Sequence, residues 1–400
     1  MTTIEPSPRR VLLLFERMVG YQHGVLLGLQ RYVQARRLPW VYVGTDPVPS
    51  NVRDIIAQLP IDGVVALIFR REMMEAVRAI GCPAVDTGNA IAGCSIPKVG
   101  VDEQAIARLA AEHLIDRGLR HFAFLGFPGE AYSDERQAAF VAAVRAAGFE
   151  CDVLDYRRYR SAETTPAEPW IELPTWAGGN KLLKRWAGDL PKPCGVFAAN
   201  DERALRLLDS ATQAGVRVPE QLAIVGVDND ELLCPYARPP LTSIALPTER
   251  IGFEAAALLD RLMAGGPPPA GSVLLPPVGV MARASSDVLA LDDPDLVAAV
   301  RWLRANAVRP IRVSDVLQQV PMSRRSLEQK FVAVLGRTPH DEIRRVRLER
   351  ARDLLANTDL PISGVAKRSG VANAERLAEL FRAALGTTPT SYRRTFQSRH

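Results

Sequence analysis

Three polar side chains, Asp228, Asn229 and Asp230, end the apolar run "AIVGVDNDEL" (223–232). Carboxylate and amide groups at the end of a buried strand are suited to three kinds of chemistry: acid–base catalysis, coordination of a cation, or hydrogen bonds to the hydroxyl groups of a ligand. The choice among them depends on the elements that position these side chains and on the rest of the chain.

Strand-length apolar runs alternate with amphipathic helical patterns over the first two thirds of the chain. The runs are "RVLLLF" (10–15), "WVYVG" (40–44), "DGVVALIF" (62–69), "HFAFLGF" (121–127), "CGVFAAN" (194–200) and "LAIVGVD" (222–228). This alternation is typical of parallel sheets covered by helices on both faces. The runs form two sets, about 10–115 and 120–240. We therefore predict an α/β domain, residues 1–285, made of two doubly wound lobes with return crossings up to residue 285.

Two such lobes imply a cleft at the carboxyl ends of the strands, where open parallel sheets bind ligands. Asn200 and Asp201 end the strand that precedes the Asp228 strand, and Asp201 could instead cap the following helix. Further candidates lie in segments expected near the cleft: Glu16, Arg17, Tyr21 and Trp176. The segment that follows the first strand could alternatively serve dimer contacts.

The charge is distributed unevenly along the chain. Residues 296–400 contain 20 Lys and Arg against 9 Asp and Glu, and the remaining residues contain 30 against 36. The tail therefore has a net charge of +11 and the body a net charge of −6. A basic segment of this kind is typical of nucleic-acid-binding domains, because neutralised phosphates release counterions. A highly soluble helical surface would have the same composition.

The cysteines and the N-terminus argue against several other classes of protein. The five cysteines are far apart and form no C-x-x-C pair, so we expect free thiols and neither a metal site nor a cofactor. No apolar stretch has the length of a membrane span, and "MTTIEPSPRR" lacks the order of a secretory signal. The expected location is the cytoplasm.

The tail contains one supersecondary unit twice. At an offset of 50, "LEQKFVAVLGRTP" (327–339) aligns with "LAELFRAALGTTP" (377–389), and seven of thirteen positions agree. We predict that residues 286–295 form a linker and that residues 296–400 form an all-α domain. A helix of about 340–356, rich in arginine, would join the two copies.

Each copy has the pattern of a helix-turn-helix. In the first, Ser314 is a candidate N-cap of the first helix and Ser323 of the second; in the second copy, Asn373 is the corresponding cap. The second helix of such a unit enters the major groove of DNA with its N-terminal side chains at the base edges. The predicted DNA-contacting residues are therefore Ser323, Arg324, Arg325 and Gln329 in the first unit, and Asn373, Glu375 and Arg376 in the second. Two units on one rigid helix would reach successive major grooves, about 34 Å apart.

Residues 296–394 resemble the paired helix-turn-helix domain of the AraC/XylS family, with "LPISGVAKRSGV" before the second unit and "GTTPTSYRR" after it. Residues 10–285 resemble the periplasmic-binding-protein-like sensor of lactose-repressor-type regulators, mainly through "VFAANDERALRLLDSATQAGVRVPEQLAIVGVDND" (196–230) and "PPLTSI" (239–244). The order of sensor and then AraC-type tail is similar to that of the xylose operon regulators, over nearly the whole chain.

The resemblance implies a role for individual residues and a biological function. Asp228, Asn200 and Arg136 match sugar-binding positions of the sensor family, with Asn229 as a helper. Sugar hydroxyls both donate and accept hydrogen bonds, so carboxylates, amides and a fixed guanidinium are suitable partners. The expected protein is a sugar-responsive activator of pentose catabolism genes, of which xylose is the leading candidate effector. We expect it to act as a homodimer that binds DNA and contacts RNA polymerase.

Two alternatives stay open at this point. A sugar-processing enzyme would also have carboxylates in a two-lobed cleft, although no Ser-His-Asp order, phosphate loop or H-E-x-x-H motif supports one. A carbohydrate-binding transport protein would need a signal peptide. A duplicated DNA-binding tail has no evident purpose in either, so we expect a regulator and not an enzyme.

Overall fold

The computed structural model describes residues 8–15, 20–45, 47–155, 180–291 and 293–396. The first lobe is built on a four-stranded parallel sheet of order β2-β1-β3-β4. Its strands are β1 (Arg9–Leu14), β2 (Trp40–Thr45), β3 (Gly63–Ala66) and β4 (Ala84–Asp86), and its helices include α1 (Gly20–Arg36), α2 (Pro49–Gln58) and α3 (Arg71–Ala79). β3 is buried along its whole length, as its continuous apolar sequence predicts.

The second lobe contains a six-stranded sheet of order β12-β10-β9-β8-β6-β7. The strands are β6 (His121–Leu125), β7 (Cys151–Val153), β8 (Cys194–Ala198), β9 (Leu222–Asp228), β10 (Thr242–Ala245) and β12 (Gly279–Met281). All neighbours are parallel except β12, which runs antiparallel to β10 at the edge. Helices α4 (Glu103–Ile115), α5 (Ala131–Ala146), α6 (Asn180–Asp189) and α7 (Asp201–Gln213) belong to this lobe. The predicted α/β fold with two doubly wound sheets is confirmed.

The chain passes between the lobes three times. Strands β5 (Val99–Val101) and β11 (Val273–Leu275) pair with each other, and α8 (Thr248–Met263) packs against α1, so all three belong to the first lobe. The crossings therefore lie at residue 102, at residues 246–247 and at residues 276–278. The predicted division of the chain at about residue 115 is wrong, because α4 packs on α5 and on the second sheet.

The tail is all-helical and contains the predicted repeat. Its helices are α9 (Pro294–Asn306), α10 (Val313–Leu317), α11 (Arg324–Leu335), α12 (Pro339–Asn357), α13 (Ile362–Arg368), α14 (Ala374–Leu385) and α15 (Pro389–Phe396). Each unit has its own apolar core, with Leu327 and Phe331 fully buried in the first and Leu377 and Phe381 fully buried in the second. Residues that align at the offset of 50 therefore occupy equivalent positions in the cores of the two units.

The caps of the two recognition helices are those that the sequence predicts. The Ser323 hydroxyl accepts a hydrogen bond from the Ser326 N–H (3.2 Å), and Asn373 accepts one from the Arg376 N–H (2.9 Å). The prediction for Ser314 is wrong: the N-cap of α10 is Arg312, two residues earlier, and the Arg312 N–H donates to the Asp315 carboxylate.

The segment predicted as a linker, residues 286–295, is packed in its described part. Ser286 is fully buried and the Ala290 N–H donates to the Arg117 carbonyl (2.8 Å). Asp293 caps α9, which begins at Pro294. These contacts hold the tail against the second lobe.

Candidate functional site

The loop that follows β9 has an unusual backbone conformation. Asp228 has a φ of 107° and Asn229 a φ of 52°, a region that non-glycine residues seldom occupy. The Asn229 N–H donates to the Ser243 hydroxyl (2.9 Å), and its side-chain oxygen accepts from the Arg283 guanidinium (2.7 Å). Backbone strain persists only where surrounding contacts impose it, and it is found preferentially at functional sites. Asn229 therefore holds the position of Asp228.

Asp201 also fixes the loop that follows β9. Its buried carboxylate accepts hydrogen bonds from the Ser243 hydroxyl (2.6 Å), the Asp230 N–H (2.9 Å) and the Cys234 thiol (3.1 Å). Burial raises the pKa of Asp201 to about 6, against the lowering effect of these hydrogen bonds. Because both of its oxygens already have protein donors, Asp201 positions the loop. A direct contact between Asp201 and a ligand stays a prediction.

Asn200 has the capping role that the sequence allowed for Asp201. Its side-chain oxygen accepts a hydrogen bond from the Arg203 N–H (2.9 Å) at the start of α7. The side-chain amide group of Asn200 is a donor that this bond does not use, so Asn200 stays a candidate for ligand contact.

Asp230 joins the two lobes across the cleft. One of its oxygens accepts from the N–H groups of Leu232 and Leu233, both at 2.9 Å, and the other accepts from the Gly20 N–H (3.2 Å) at the start of α1. Its carboxylate is therefore used to order the loop after β9 and to hold the first lobe beside it.

Arg136 is a fixed cation of the second lobe. Its side chain is 5% exposed, its Nε donates to Glu103 (2.7 Å), and its Nη1 donates to the Ala199 carbonyl. The guanidinium also lies over the Tyr132 ring, 5.1 Å from the centroid. Burial lowers the pKa of Arg136, but the charges of Glu103 and Asp228 outweigh it and leave the pKa above its ordinary value.

Polar and charged side chains of both lobes lie close to Asp228. Burial raises the pKa of Tyr21, a residue of α1, and the charges of Glu103 and Asp228 raise it further. Burial also raises the pKa of Asp228, reinforced by the nearby Asp201 and opposed by Arg136. The Tyr21 hydroxyl donates to the Thr87 carbonyl (2.6 Å). Asp228, Arg136 and Tyr21, which the sequence placed near a cleft, are thus close enough to influence one another electrostatically.

Sequence reasoning missed several members of this cluster. Asp86, Glu103 and Arg203 are buried, and the half-buried rings of Phe127 and Tyr132 lie against the guanidinium groups of Arg203 and Arg136. Burial raises the pKa of Asp86 to about 6, opposed by hydrogen bonds from the N–H groups of Gly88 and Ile68. The Arg203 guanidinium stacks on the Phe127 ring at 3.7 Å. An apolar face beside several fixed polar groups is suited to a small polyol.

Glu16, Arg17 and Trp176 lie outside the described residues. Within the described ranges, His, Cys, Asp and Glu side chains form no group of three that could hold a metal ion, and no helix there is long and apolar enough to cross a membrane.

The predicted DNA-contacting residues lie on exposed faces at the starts of α11 and α14. Those of the first unit are Ser323, Arg324, Arg325 and Gln329, and those of the second are Asn373, Glu375 and Arg376; all seven are exposed. Arg324 pairs with Glu328 (2.9 Å) and Arg376 with Glu379 (2.7 Å), both at the surface. Such exposed pairs are weak, so either arginine can exchange its partner for a phosphate or base at small cost.

A two-lobed cleft with a polar, partly desolvated centre, joined to two helix-turn-helix units, defines a ligand-sensing transcriptional regulator. Family profiles agree: a periplasmic binding protein-like domain matches residues 111–286, and a helix-turn-helix domain matches residues 316–395.

The chain is 32% identical over 391 residues to the xylose operon regulatory protein of Escherichia coli K12, covering 96% of both chains. Its identity to the xylose operon regulatory protein of Haemophilus influenzae is 29%, with 96% of this chain and 98% of the relative covered. A solved structure described as xylose-binding transcription activator xylR matches with 30% identity and a TM-score of 0.59, over 97% of this chain and 98% of the other. The chain belongs to the xylose operon regulatory protein family.

Proposed function

We propose that the cleft beside Asp228 binds a small sugar and that its occupancy controls the binding of DNA by α11 and α14. The observation that carries this proposal is the division of roles in the loop after β9. The side chains of Asn229, Asp230 and Asp201 are engaged in holding the loop, and Asp228 is held in a strained conformation beside Arg136. Sugar hydroxyls require both acceptors and donors, which Asp228 and Arg136 supply.

Xylose is the first sugar to test, because relatives that match nearly the whole chain are named as regulators of a xylose operon or as a xylose-binding activator. On the same ground we propose that the protein activates genes of pentose use, in the cytoplasm and as a homodimer that contacts RNA polymerase. A dimer would place its helix-turn-helix units on two half-sites, as dimeric helix-turn-helix proteins do.

A thermal-shift screen of pentoses and hexoses tests the sugar-binding role. We expect xylose or a related pentose to raise the melting temperature of the wild-type chain in a concentration-dependent way, because the ligand binds only the folded state. Asp228→Ala should abolish the shift. Asp54→Ala, which removes an exposed carboxylate of α2, is the matched control and should retain the shift.

The proposal fails if no sugar stabilises the wild-type chain, or if Asp228→Ala responds as the wild type does. Chemical turnover of a stabilising sugar would instead indicate an enzyme. Incubation of each hit with the protein, followed by chromatography of the sugar, distinguishes binding from turnover.

A further inference from the structure

The tail is anchored to the second lobe by an ionic cluster around Glu342. Glu342 lies near the start of α12, its side chain is fully buried, and it receives hydrogen bonds from Arg304, Arg337 and Arg345 at 2.6–2.9 Å. Arg304 also donates to the Asp116 carbonyl (2.9 Å), and Arg337 donates to the Asp116 carboxylate (2.6 Å). Asp116 is the C-cap residue of α4 in the second lobe. This cluster fixes the first helix-turn-helix unit to the body of that lobe.

A second anchor lies near the other end of α12. The carbonyl oxygen of Val278 accepts two hydrogen bonds, one from Nη2 of Arg352 (2.9 Å) and one from the Tyr392 hydroxyl (2.7 Å). The Nε of Arg352 also donates to the Tyr392 hydroxyl (3.1 Å). Tyr392 belongs to α15, and its ring packs against Phe381 in the core of the second unit. Both the joining helix and the second unit therefore contact one backbone carbonyl of the sensor.

That carbonyl belongs to a crossing between the two lobes. Val278 lies between β11 of the first lobe and β12 of the second, and its N–H donates to the Ala245 carbonyl (2.9 Å). The next residue, Gly279, has a φ of 151°, and a Cβ atom there would lie 3.2 Å from the Arg352 guanidinium. When two lobes rotate relative to each other, the connecting segments take up the change in backbone angles. Val278 is held at its N–H by the end of β10 in the second lobe, and the chain before it leads to β11 of the first lobe, so its carbonyl lies where such a change in backbone angles would occur.

We propose that the Val278 carbonyl transmits movement of the lobes to the DNA-binding domain, with Arg352 and Tyr392 as its positioning residues. The inference rests on the proposed function, since a sugar in the cleft is what would set the position of the lobes. The Glu342 cluster serves as the fixed pivot, because Asp116, to which it is attached, belongs to the body of the second lobe. The anchor at Val278 then sets the angle of α12, and with it the direction in which both recognition helices are presented.

The test removes the donors to Val278 and leaves the surrounding core intact. The variants are Tyr392→Phe, which keeps the aromatic ring, and the double variant Arg352→Met/Tyr392→Phe, which removes both donors. Tyr236→Phe, on an exposed loop of the sensor, is the matched control. The first readout is amide hydrogen exchange of the peptide that covers residues 273–281, in the full-length chain without sugar. Each lost hydrogen bond should accelerate exchange there by about 2- to 10-fold.

The second readout is affinity for DNA with and without saturating xylose. The probe is a duplex selected in vitro from a random library by the wild-type chain. In the wild type we expect xylose to change the dissociation constant by a factor of about 5 to 150, the usual range of coupling between two sites. The double variant should bind xylose as the wild type does, yet its DNA affinity should respond to xylose by less than about twofold.

The outcomes separate this inference from the proposed function. An unchanged exchange rate at residues 273–281 in the double variant overturns the inference, whatever the effect of sugar. A double variant whose DNA affinity still responds to xylose as the wild type does overturns it as well. If the wild type responds to no sugar, the proposed function fails and the regulatory role of the contact fails with it. Faster exchange together with a lost response supports the inference.

Discussion

The buried pair of Arg136 and Glu103 permits a prediction that separates stability from ligand binding. Both side chains are at most 5% exposed and lie 2.7 Å apart. In Arg136→Met the carboxylate of Glu103 stays buried without its cation. Removing one partner of a buried ion pair typically destabilises a protein by about 3–5 kcal/mol. For a cooperative unit of about 280 residues, this corresponds to a fall in melting temperature of about 5–9 °C.

The loss should depend on pH in a defined direction. Burial already raises the pKa of Glu103 in the wild type, with Arg136 as the main opposing influence. Without Arg136, the folded-state pKa of Glu103 must rise further, so the folded variant retains a proton that the unfolded chain releases near pH 4.3. Stability of Arg136→Met relative to the wild type should therefore fall as the pH rises above the folded-state pKa that Glu103 has in the wild type, which is itself raised, and the deficit should be larger at pH 8 than at pH 5.

A double variant provides the control. In Arg136→Met/Glu103→Gln neither charge is buried alone, and we expect a melting temperature several degrees above that of Arg136→Met. Because the guanidinium is still absent, both variants should bind xylose at least about tenfold more weakly than the wild type, equivalent to about 1.4 kcal/mol for a charged hydrogen bond. Scanning fluorimetry and isothermal titration calorimetry measure the two effects. The reasoning is refuted if the second substitution restores no stability, or if the double variant binds xylose with wild-type affinity.

Three further predictions concern other parts of the chain. Arg324→Ala and Arg325→Ala should each weaken binding of the selected DNA duplex by about 1–3 kcal/mol if the arginine contacts a base. If it contacts a phosphate, the slope of log affinity against log salt concentration should become smaller by about 1. Fluorescence anisotropy at several salt concentrations measures both quantities, and an unchanged affinity and slope would exclude both roles. The arginines around Glu342 hold its pKa well below the usual range despite burial, so this carboxylate contributes stability above about pH 4.3 that is lost as the pH falls below that value. Glu342→Gln should destabilise the tail at pH 7 by about 3–5 kcal/mol and remove this dependence on acid pH from the denaturation curves. Wild-type stability in the variant would contradict the stabilising role of the cluster. Asn229→Ala should cost about 1–3 kcal/mol, because alanine tolerates a positive φ less well and loses the hydrogen bond from Arg283; a melting temperature equal to that of the wild type would contradict the strain assigned to this loop.

The sequence was sufficient where a signal is local or repeated. The apolar run that ends at Asp228 predicts both β9 and the position of that side chain at a strand end. The repeat at an offset of 50 predicts two helix-turn-helix units, and Ser323 and Asn373 cap their recognition helices as expected. Within the strand and within each unit, the residues that decide the structure lie within a few positions of one another, and the repeat shows that the same local pattern occurs twice.

The sequence was insufficient where the outcome depends on distant parts of the chain. Helical periodicity predicts α4 but does not indicate which sheet the helix packs against, and the preceding strand β5 has only three residues. Asn200 and Asp201 are both possible caps of α7. The extended backbone at Asn200 makes that residue the cap, and Asp201 instead supports the loop after β9. Glu103 was missed because its partner, Arg136, is 33 residues away.

The most direct test of sugar binding beside Asp228 is a crystal structure of the full-length chain grown with xylose. We expect one xylose molecule in the cleft, with hydroxyl groups within hydrogen-bonding distance of the Asp228 carboxylate and the Arg136 guanidinium, and with Tyr21 of the first lobe beside it. Xylose bound elsewhere on the chain, or an empty cleft in crystals grown at saturating xylose, would contradict it.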